Sequence, residues 1–420
     1  MKRMTARPEN PHQARILRLL RQDGARSRAE LGEVTRLSPS KLTLELDRLT
    51  KLNLLESGGL AASRGGRRSG IVRVASHLRF VGIDIGATSI DVGLTNGELE
   101  VLGHLSKPAD VRDGPEAVLE QALELVGKLR AGGTTEIHGV GIGVPGPVSF
   151  LDRTPVSPPI MPGWDRFPVR ETLSREFGCP VLVDNDVNIM ALGELHSGLA
   201  RAVGDFLLVK IGTGIGCGIV VDGEIYRGVT GSAGDIGHIR VSEDGPLCTC
   251  GNTGCLEAYF GGAALARDAR AAAESGDSPF LAERLAQEGT LTAEDVATAA
   301  ASGDAAAVRM VREGGRHVGL VLASLVSFFN PGLVIIGGGV AGLGHAAARG
   351  DPQRRLPALA AAGHRQPAHR AVRARRHGRD HRGDPADQRP RLLRRVSARP
   401  ARPGQDAGRP PSPAGDGGRP

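Results

Sequence analysis

Phe80–Gly103 reads FVGIDIGATSIDVGLTNGELEVLG, and Phe206–Val229 reads FLLVKIGTGIGCGIVVDGEIYRGV. Aligned without a gap, Phe80 falls on Phe206, Ile85-Gly86 on Ile211-Gly212, and Gly97-Glu98 on Gly223-Glu224. Each stretch reads as an apolar strand, a Gly-rich turn, a second strand, a tight turn at Asn96-Gly97 or Asp222-Gly223, and a third strand. Two similar α/β halves, each with a glycine turn after its first strand, predict a cleft in which both turns face one polyphosphate. Glycine suits that task because backbone N–H groups can then approach phosphate oxygens closely. Asp84, Gly86 and Thr88 are assigned to the first turn, where a carboxylate and a hydroxyl can hold Mg²⁺ through water and bond a phosphate. Gly212, Thr213, Gly214 and Gly216 are assigned to the second. One such turn alone fits an ordinary hairpin equally well; the duplication favours nucleotide binding.

Between the repeats, residues 180 to 188 read PVLVDNDVN, a strand whose polar end leads into a helix over Ile189–Leu195. Acids at such a strand end face the cleft of an α/β fold. Asp186 is placed to take the proton of a substrate hydroxyl attacking a γ-phosphate, with Asn185 orienting that substrate; the plainer alternative makes Asp186 a helix cap. Two G-x-G-x-x-G spacings, at Gly141 and at Gly337, lack dinucleotide context. The first holds Val144-Pro145 where a helix should open, and the second has no acid about twenty positions on. His238 precedes Cys248, Cys250 and Cys255, with Gly251 and Gly254 interleaved. One imidazole and three thiolates make a closed Cys₃His set, the pattern of structural Zn²⁺. Cys179 and Cys217 sit among apolar residues and read as core.

Upstream, His12–Gln22 carries Ile16, Leu17 and Leu20 on one face, and Ser27 to Glu30 has the S-x-x-E form of a capping box. Ser38-Pro39 starts a third helix with Leu42, Leu46 and Leu49 as its apolar stripe. A basic hairpin follows, with Gly65-Gly66-Arg67-Arg68 at its tip and Ile71 to Val74 as its return strand. Three helices and such a hairpin predict a winged helix-turn-helix over residues 10–75. In that geometry Ser40, Lys41 and Thr43 reach bases in the major groove, while Arg67 and Arg68 reach the minor groove or phosphates. A small protein-interaction domain is the alternative.

The chain has 420 residues and a formal net charge of +7, but the charge is unevenly placed. Residues 1–80 carry +10, residues 346–420 carry +12, and the body between them carries −15. An acidic body repels phosphate backbones, so only the head qualifies as a nucleic-acid binder. No disulfide framework or signal peptide is read, and a cytoplasmic protein is expected. The apolar run Val318–Gly344 is broken by Asn330-Pro331-Gly332 and reads as helix, turn and strand rather than a membrane span.

Taken together, these residues resemble the ROK family, whose name joins repressors, open reading frames and kinases, over about residues 10–344. The carriers are Asp84 to Thr88, Val144-Pro145-Gly146, Asn185-Asp186, Gly212 to Gly216, Gly237-His238, the Cys248 to Glu257 run, and Asn330-Pro331 leading into Gly337-Gly338-Gly339. The resemblance implies a duplicated actin-like (hexokinase-like, ribonuclease H-like) sugar kinase fold, in halves over 80–195 and 196–345. It implies Asp186 as catalytic base, Asn185, His238 and Glu257 as sugar ligands, Gly337, Gly338 and Gly339 beside the nucleotide, and a zinc knuckle bracing the sugar loop. A winged helix ahead of this body marks the repressor branch. Two departures stand out: Asp235 replaces the Glu common in sugar-binding members, and Ser89 stands where kinases often place Lys.

Beyond Gly344 the composition changes abruptly: residues 346–420 hold 18 Arg and 11 Pro but no Phe, Tyr, Trp, Lys, Glu, Met, Ile, Asn, Thr or Cys. Such a segment cannot bury enough apolar area to offset its ordering entropy and is expected to be disordered, or to be GC-rich coding DNA read out of frame from about 345. The expected protein is a sugar-responsive, DNA-binding transcriptional regulator. Its partners are operator DNA, a sugar or sugar-phosphate effector and its own copies in a dimer or tetramer, with no membrane. The rival is an ATP-dependent hexose kinase, since the sequence permits MgATP; a third reading is a disabled sugar-binding remnant.

Overall fold

The computed structural model describes residues 7–60, 70–131, 133, 136–149, 151–340 and 370–372. The head comprises α1 (Pro11–Asp23), β1 (Arg26–Ser27), α2 (Arg28–Thr35), α3 (Pro39–Lys51), β2 (Leu55–Leu60) and β3 (Gly70–Val74). Ser27 and Glu30 form the capping box of α2, and Ser38 caps α3 with Pro39 at its first position. Leu42, Leu46 and Leu49 are buried with Ile16, Leu20, Leu31, Val72 and Val74. The hairpin β2–β3 gains a third strand that the sequence does not announce, because β1 pairs antiparallel with β3 through Arg26 and Ser27. Arg67 and Arg68, assigned to the hairpin tip, lie outside the described residues.

Glu45 is fully buried under α3. Its carboxylate accepts hydrogen bonds from Asn10 Nδ2 (3.0 Å) and Gln13 Nε2 (2.9 Å) and pairs with Lys41 Nζ at 2.8 Å. The bond from Lys41, ahead of those from Asn10 and Gln13, holds its pKa down to about 2. That depressed value stabilises the fold above the ordinary Glu range and is lost as pH falls toward 2. Removing the carboxylate leaves the buried Gln13 amide without its acceptor, while the half-exposed Lys41 and Asn10 can turn to water, so Glu45→Ala is expected to cost the head about 2 kcal/mol, read as a lower urea midpoint. Lys41, assigned to DNA, is thereby tied to the helix core, whereas Ser40 and Thr43 are exposed.

The first half of the body runs through β4 (Phe80–Ile85), β5 (Ser89–Thr95), β6 (Val101–Pro108), α4 (Pro115–Arg130), β7 (Gly139–Val144), α5 (Val169–Phe177), β8 (Val181–Asn185) and α6 (Asp186–Ser197). The second runs through β9 (Phe206–Ile211), β10 (Ile215–Val221), β11 (Glu224–Ile225), α7 (Leu256–Phe260), α8 (Gly262–Glu274), α9 (Pro279–Glu288), α10 (Ala293–Ala301), α11 (Ala305–Phe329), β12 (Leu333–Gly337) and β13 (Arg370–Val372). The sheets are ordered β6-β5-β4-β7-β8 and β11-β10-β9-β12-β13. In each, the first two strands are antiparallel and the first pairs parallel with the fourth. The repeat quoted above is thus a repeat of topology. Asn330 ends α11 in the left-handed region (φ 50°), giving the expected helix, turn and strand, and no described helix is long and apolar enough to cross a membrane.

Four details correct the sequence reading. Asp222 (φ 51°) and Gly223 (φ 76°) both adopt positive φ, as a type I′ hairpin requires, but Gly97 does not. In the first repeat Asn96 Oδ1 instead holds the amides of Glu98 and Glu100, Leu99 takes the positive φ, and Gly97 is needed because a Cβ would lie 2.2 Å from the Ala75 carbonyl. Secondly, α6 begins at Asp186 rather than Ile189, with Asn185 as its cap. Thirdly, α6 belongs to both halves: it leaves the first sheet, yet Val187 and Ala191 pack on Phe206, Leu208, Val220 and Ile225 of the second. Finally, the tail carries a strand where its composition predicts none, since β13 pairs antiparallel with β12, whereas the corresponding β8 is parallel to β7. The rest of the tail reading lies outside the described residues.

Candidate functional site

Parallel pairing brings the candidate acids to one end of the first sheet. Asp84 on β4 is in register with Gly143 on β7, which is in register with Asp184 on β8. Gly143 is small by necessity: a Cβ there would lie 2.3 Å from Ile189 Cδ1 and 3.1 Å from Asp186 Cα. Absence of that side chain lets the start of α6, with Asp186, come down beside Asp84. Asp84 therefore sits within β4 and not on the turn, which comprises Gly86 to Thr88 and is closed by Gly86 N donating to Ser89 O at 2.8 Å. Burial, opposed by Lys210 and reinforced by the charges of Asp186 and Asp91, pushes the Asp84 pKa up to about 6. Its Oδ1 is buried without a hydrogen-bond partner among the described residues.

Asn185 is fully engaged inside the protein. Its Oδ1 caps α6 by accepting from Val187 N and Asn188 N, and its Nδ2 donates to Gly146 O and Asp186 Oδ1, both at 2.9 Å. It thereby fixes the Val144-Pro145-Gly146 turn and the orientation of Asp186, a positioning role in place of a free amide for substrate. Asp186 is nearly buried and ion-paired with Lys210 of β9. Arg227, just beyond β11, donates to Asp184 Oδ2 at 2.8 Å, so two cation–carboxylate pairs join the two halves. Neither Lys210 nor Arg227 is among the residues singled out by sequence. The available signal was a lone Lys in the otherwise apolar Phe206–Ile211 strand, where a charge is costly unless paired.

The second glycine turn comprises Gly212, Thr213 and Gly214. Gly216, assigned to it, lies on β10, where its missing Cβ leaves room for Val187 of α6 (2.9 Å). Glu257 Oε2 accepts from Ile215 N at 2.9 Å and fills the space that a Cβ on Gly214 would need. Gly338 follows β12 at φ +94°, and a Cβ there would lie 2.3 Å from Ile211 O. Gly337 and Gly338 thus bring the end of β12 against the end of β9, next to that turn, with Gly339 following.

Below the turn, the ligand atoms of His238, Cys248, Cys250 and Cys255 all lie within 4.8 Å of one another. His238 Nδ1 is 3.5 Å from Cys248 Sγ, and Cys250 Sγ is 3.7 Å from Cys255 Sγ. A tetrahedron with Zn–S near 2.3 Å has S···S edges of about 3.8 Å, so the donor set and spacing fit Zn²⁺ with no open position. Gly251 (φ 89°) and Gly254 (φ 73°) supply the backbone reversal, and at Gly254 a Cβ would lie 1.9 Å from Ser242 O. Cys255 is also the N-cap residue of α7, the helix that carries Glu257. His238 has its Nδ1 toward the thiolates and its Nε2 3.9 Å from Asp235, so it stands between the metal set and the cleft loop.

A family model described as the ROK family matches residues 80–367, past the position near 345 where the resemblance is expected to stop. A glucokinase of Halalkalibacterium halodurans is 36% identical over 269 residues, covering 63% of this chain and 81% of that protein. A xylose repressor of Caldicellulosiruptor bescii is 30% identical over 316 residues, covering 74% of this chain and 78% of that protein. Among solved structures, a ROK family transcriptional regulator described as a homologue of the E. coli MLC protein superposes with a TM-score of 0.68 at 27% identity, covering 80% of this chain and 85% of that one.

Proposed function

The chain belongs to the ROK family, and on that premise we propose that it is a sugar-responsive, DNA-binding transcriptional repressor of carbohydrate metabolism. The observation that carries the reading is the head: three helices and a β-hairpin with their own core, joined ahead of a duplicated cleft. The repressor and regulator likenesses extend over more of the chain, 74% and 80%, than the glucokinase likeness at 63%, which supports the reading. In this reading α3 enters the major groove with exposed Ser40 and Thr43 toward bases, and Arg67 and Arg68 add backbone or minor-groove contacts. A dimer or tetramer would present two such heads to a two-fold operator. The Cys₃His set holds structural Zn²⁺, and Asp186 accepts a sugar hydroxyl.

Coupling between site and head has a physical route in α6. Its first residue, Asp186, lies in the cleft. At its far end His196 Nε2 lies 3.3 Å from an Arg21 guanidinium nitrogen of α1. Arg201 donates to Gln22 O at 3.3 Å, and Arg18 lies 3.4 Å from Glu224. Because α6 also packs on the second sheet, closure of the two halves around a sugar would move the helix and the head contact together. Ligand binding then shifts the population of head arrangements.

Duplexes selected from a random pool with the full chain provide the test. Log affinity is expected to fall linearly with log salt concentration, and Ser40→Ala and Thr43→Ala are each expected to relax selectivity at one base position, with a loss of about 1–3 kcal/mol. Unchanged selectivity in both variants would remove α3 as the reading helix. The glucokinase likeness supports a second reading, an ATP-dependent hexose kinase using Asp186 as general base. Sugar-dependent ADP release abolished by Asp186→Asn would favour it.

A further inference from the structure

We propose that the Lys210 ammonium is a built-in counter-ion standing at the carboxylates of Asp84 and Asp186, so that the cleft binds sugar without taking Mg²⁺ and without transferring phosphate. The inference deepens the repressor reading and rests on the cleft being a sugar site. The two sheets each bring part of the cluster, and the Lys210–Asp186 bond joins them. Asp84 is in register with Gly143, against which the start of α6 is packed, and Lys210 stands opposite Gly337 at the end of β9. Lys210 Nζ is bonded to Asp186 Oδ2, and the charges of Lys210 and Asp84 act on each other. Burial alone would pull the Lys210 pKa down; Asp186 and Asp84 outweigh it and hold the value above the ordinary one.

Two consequences follow from this arrangement. A carboxylate offers about four acceptor positions. On Asp186, Oδ1 already takes Asn185 Nδ2 (2.9 Å) and Val187 N (2.8 Å), and Oδ2 takes Lys210. One position on Oδ2 is left for a sugar hydroxyl, which suffices for binding. Secondly, a divalent cation approaching Asp84 would meet a fixed positive charge in a partly desolvated site, where like charges repel strongly. Phosphoryl transfer would need that cation. In the step, the sugar oxygen forms a bond to the γ-phosphorus, the bond from the γ-phosphorus to the ADP oxygen breaks, the hydroxyl proton passes to Asp186, and ADP leaves with Mg²⁺. With Lys210 in place, Asp186 is held as an acceptor and the cation is kept out.

The test uses the full chain, MgCl₂ and ATP, with glucose and xylose as probes. In the wild type, MgCl₂ is expected to leave the melting temperature where KCl of matched ionic strength leaves it, and ADP release is expected to stay at background. Lys210→Met and Lys210→Thr are expected to gain a saturable Mg²⁺-dependent rise in melting temperature, removed by adding Asp84→Asn, and at least tenfold more sugar-dependent ADP release. Lys210→Arg, which keeps the charge, should behave as wild type. A saturable Mg²⁺ response in the wild type, or wild-type turnover that is lost in Lys210→Met, overturns the proposal and makes Lys210 a catalytic cation. If neither uncharged variant folds, the wild-type Mg²⁺ titration decides alone. Sugar binding with no gained Mg²⁺ response sinks the role of Lys210 only; if no sugar raises the melting temperature of any form, the reading of the cleft itself fails.

Discussion

Cys255→Ser is expected to lower the melting temperature by about 10 °C or more and to reduce bound zinc from one per chain to none after mild chelation. The effect is large because Cys255 belongs to three structures at once. Its Sγ is part of the Cys₃His set, its backbone caps α7, and α7 carries Glu257, whose carboxylate holds Ile215 N at the second glycine turn. Without metal, three thiols and an imidazole, two of the cysteines and the helix start being buried, have no shared partner. The loop from His238 to Cys255 has few other apolar contacts to keep it folded, its small cluster being Cys248, Cys250, Cys255 and Ala258. Sugar affinity should fall together with zinc content. Cys179→Ser is the control: that thiol is buried in the first half, away from the cluster, and its loss should leave zinc content unchanged. Elemental analysis and thermal melts of both variants check the prediction; chelated wild type that melts with untreated protein would contradict it.

Asp84→Asn is expected to stabilise the protein at pH 7.5 by up to about 3 kcal/mol while weakening the cleft. Burial raises the Asp84 pKa to about 6 from an ordinary 3.8. A group whose folded value is raised binds its proton more tightly in the native state. The associated stability is fully present below the unfolded value and is lost as pH rises through about 6. At pH 7.5 the ionised carboxylate therefore costs the fold most, and the uncharged amide removes that cost; at pH 3.5 wild type and variant should converge. The measurement is a urea midpoint across pH 3.5–8. Equal stabilisation at every pH would show that the carboxylate charge is not the cause. A buried acid retained at such a cost is the pattern of a functional site, where stability is exchanged for chemistry.

Legibility of these features follows their physical range. The duplicated sheets, the capped α2 and α3 and the Cys₃His set are local in sequence: strand alternation, an S-x-x-E box and closely spaced ligands each declare themselves within a short window. The pairs Lys210–Asp186 and Arg227–Asp184 that join the two halves depend on strand pairing and lobe packing across 24 and 43 positions, which no local pattern encodes. Gly216 and Gly143 show the same limit. Both read as loop glycines or motif matches, but they are strand residues whose missing side chains admit α6. Asn185 reads as a ligand because it is polar at a strand end; its four hydrogen-bonding positions are taken within the protein, two capping α6, one on Gly146 O and one on Asp186. β1 is two residues long and becomes a strand only through β3, so no periodicity could announce it.

With Asp186 at one end of α6 and the Arg21 contact at the other, occupancy of the cleft and affinity for DNA are expected to form one linked equilibrium. Fluorescence anisotropy of the full chain on its selected operator, with and without the sugar that most raises its melting temperature, measures that linkage directly. A coupling of about 1–3 kcal/mol corresponds to a change in operator affinity of roughly 5- to 150-fold, and the operator must alter sugar affinity by the same factor. Such a reciprocal change is expected, diminished in Arg21→Ala, which removes the contact with His196. Sugar that binds the cleft, as judged by the melting temperature, and leaves operator affinity unchanged at constant salt would contradict it.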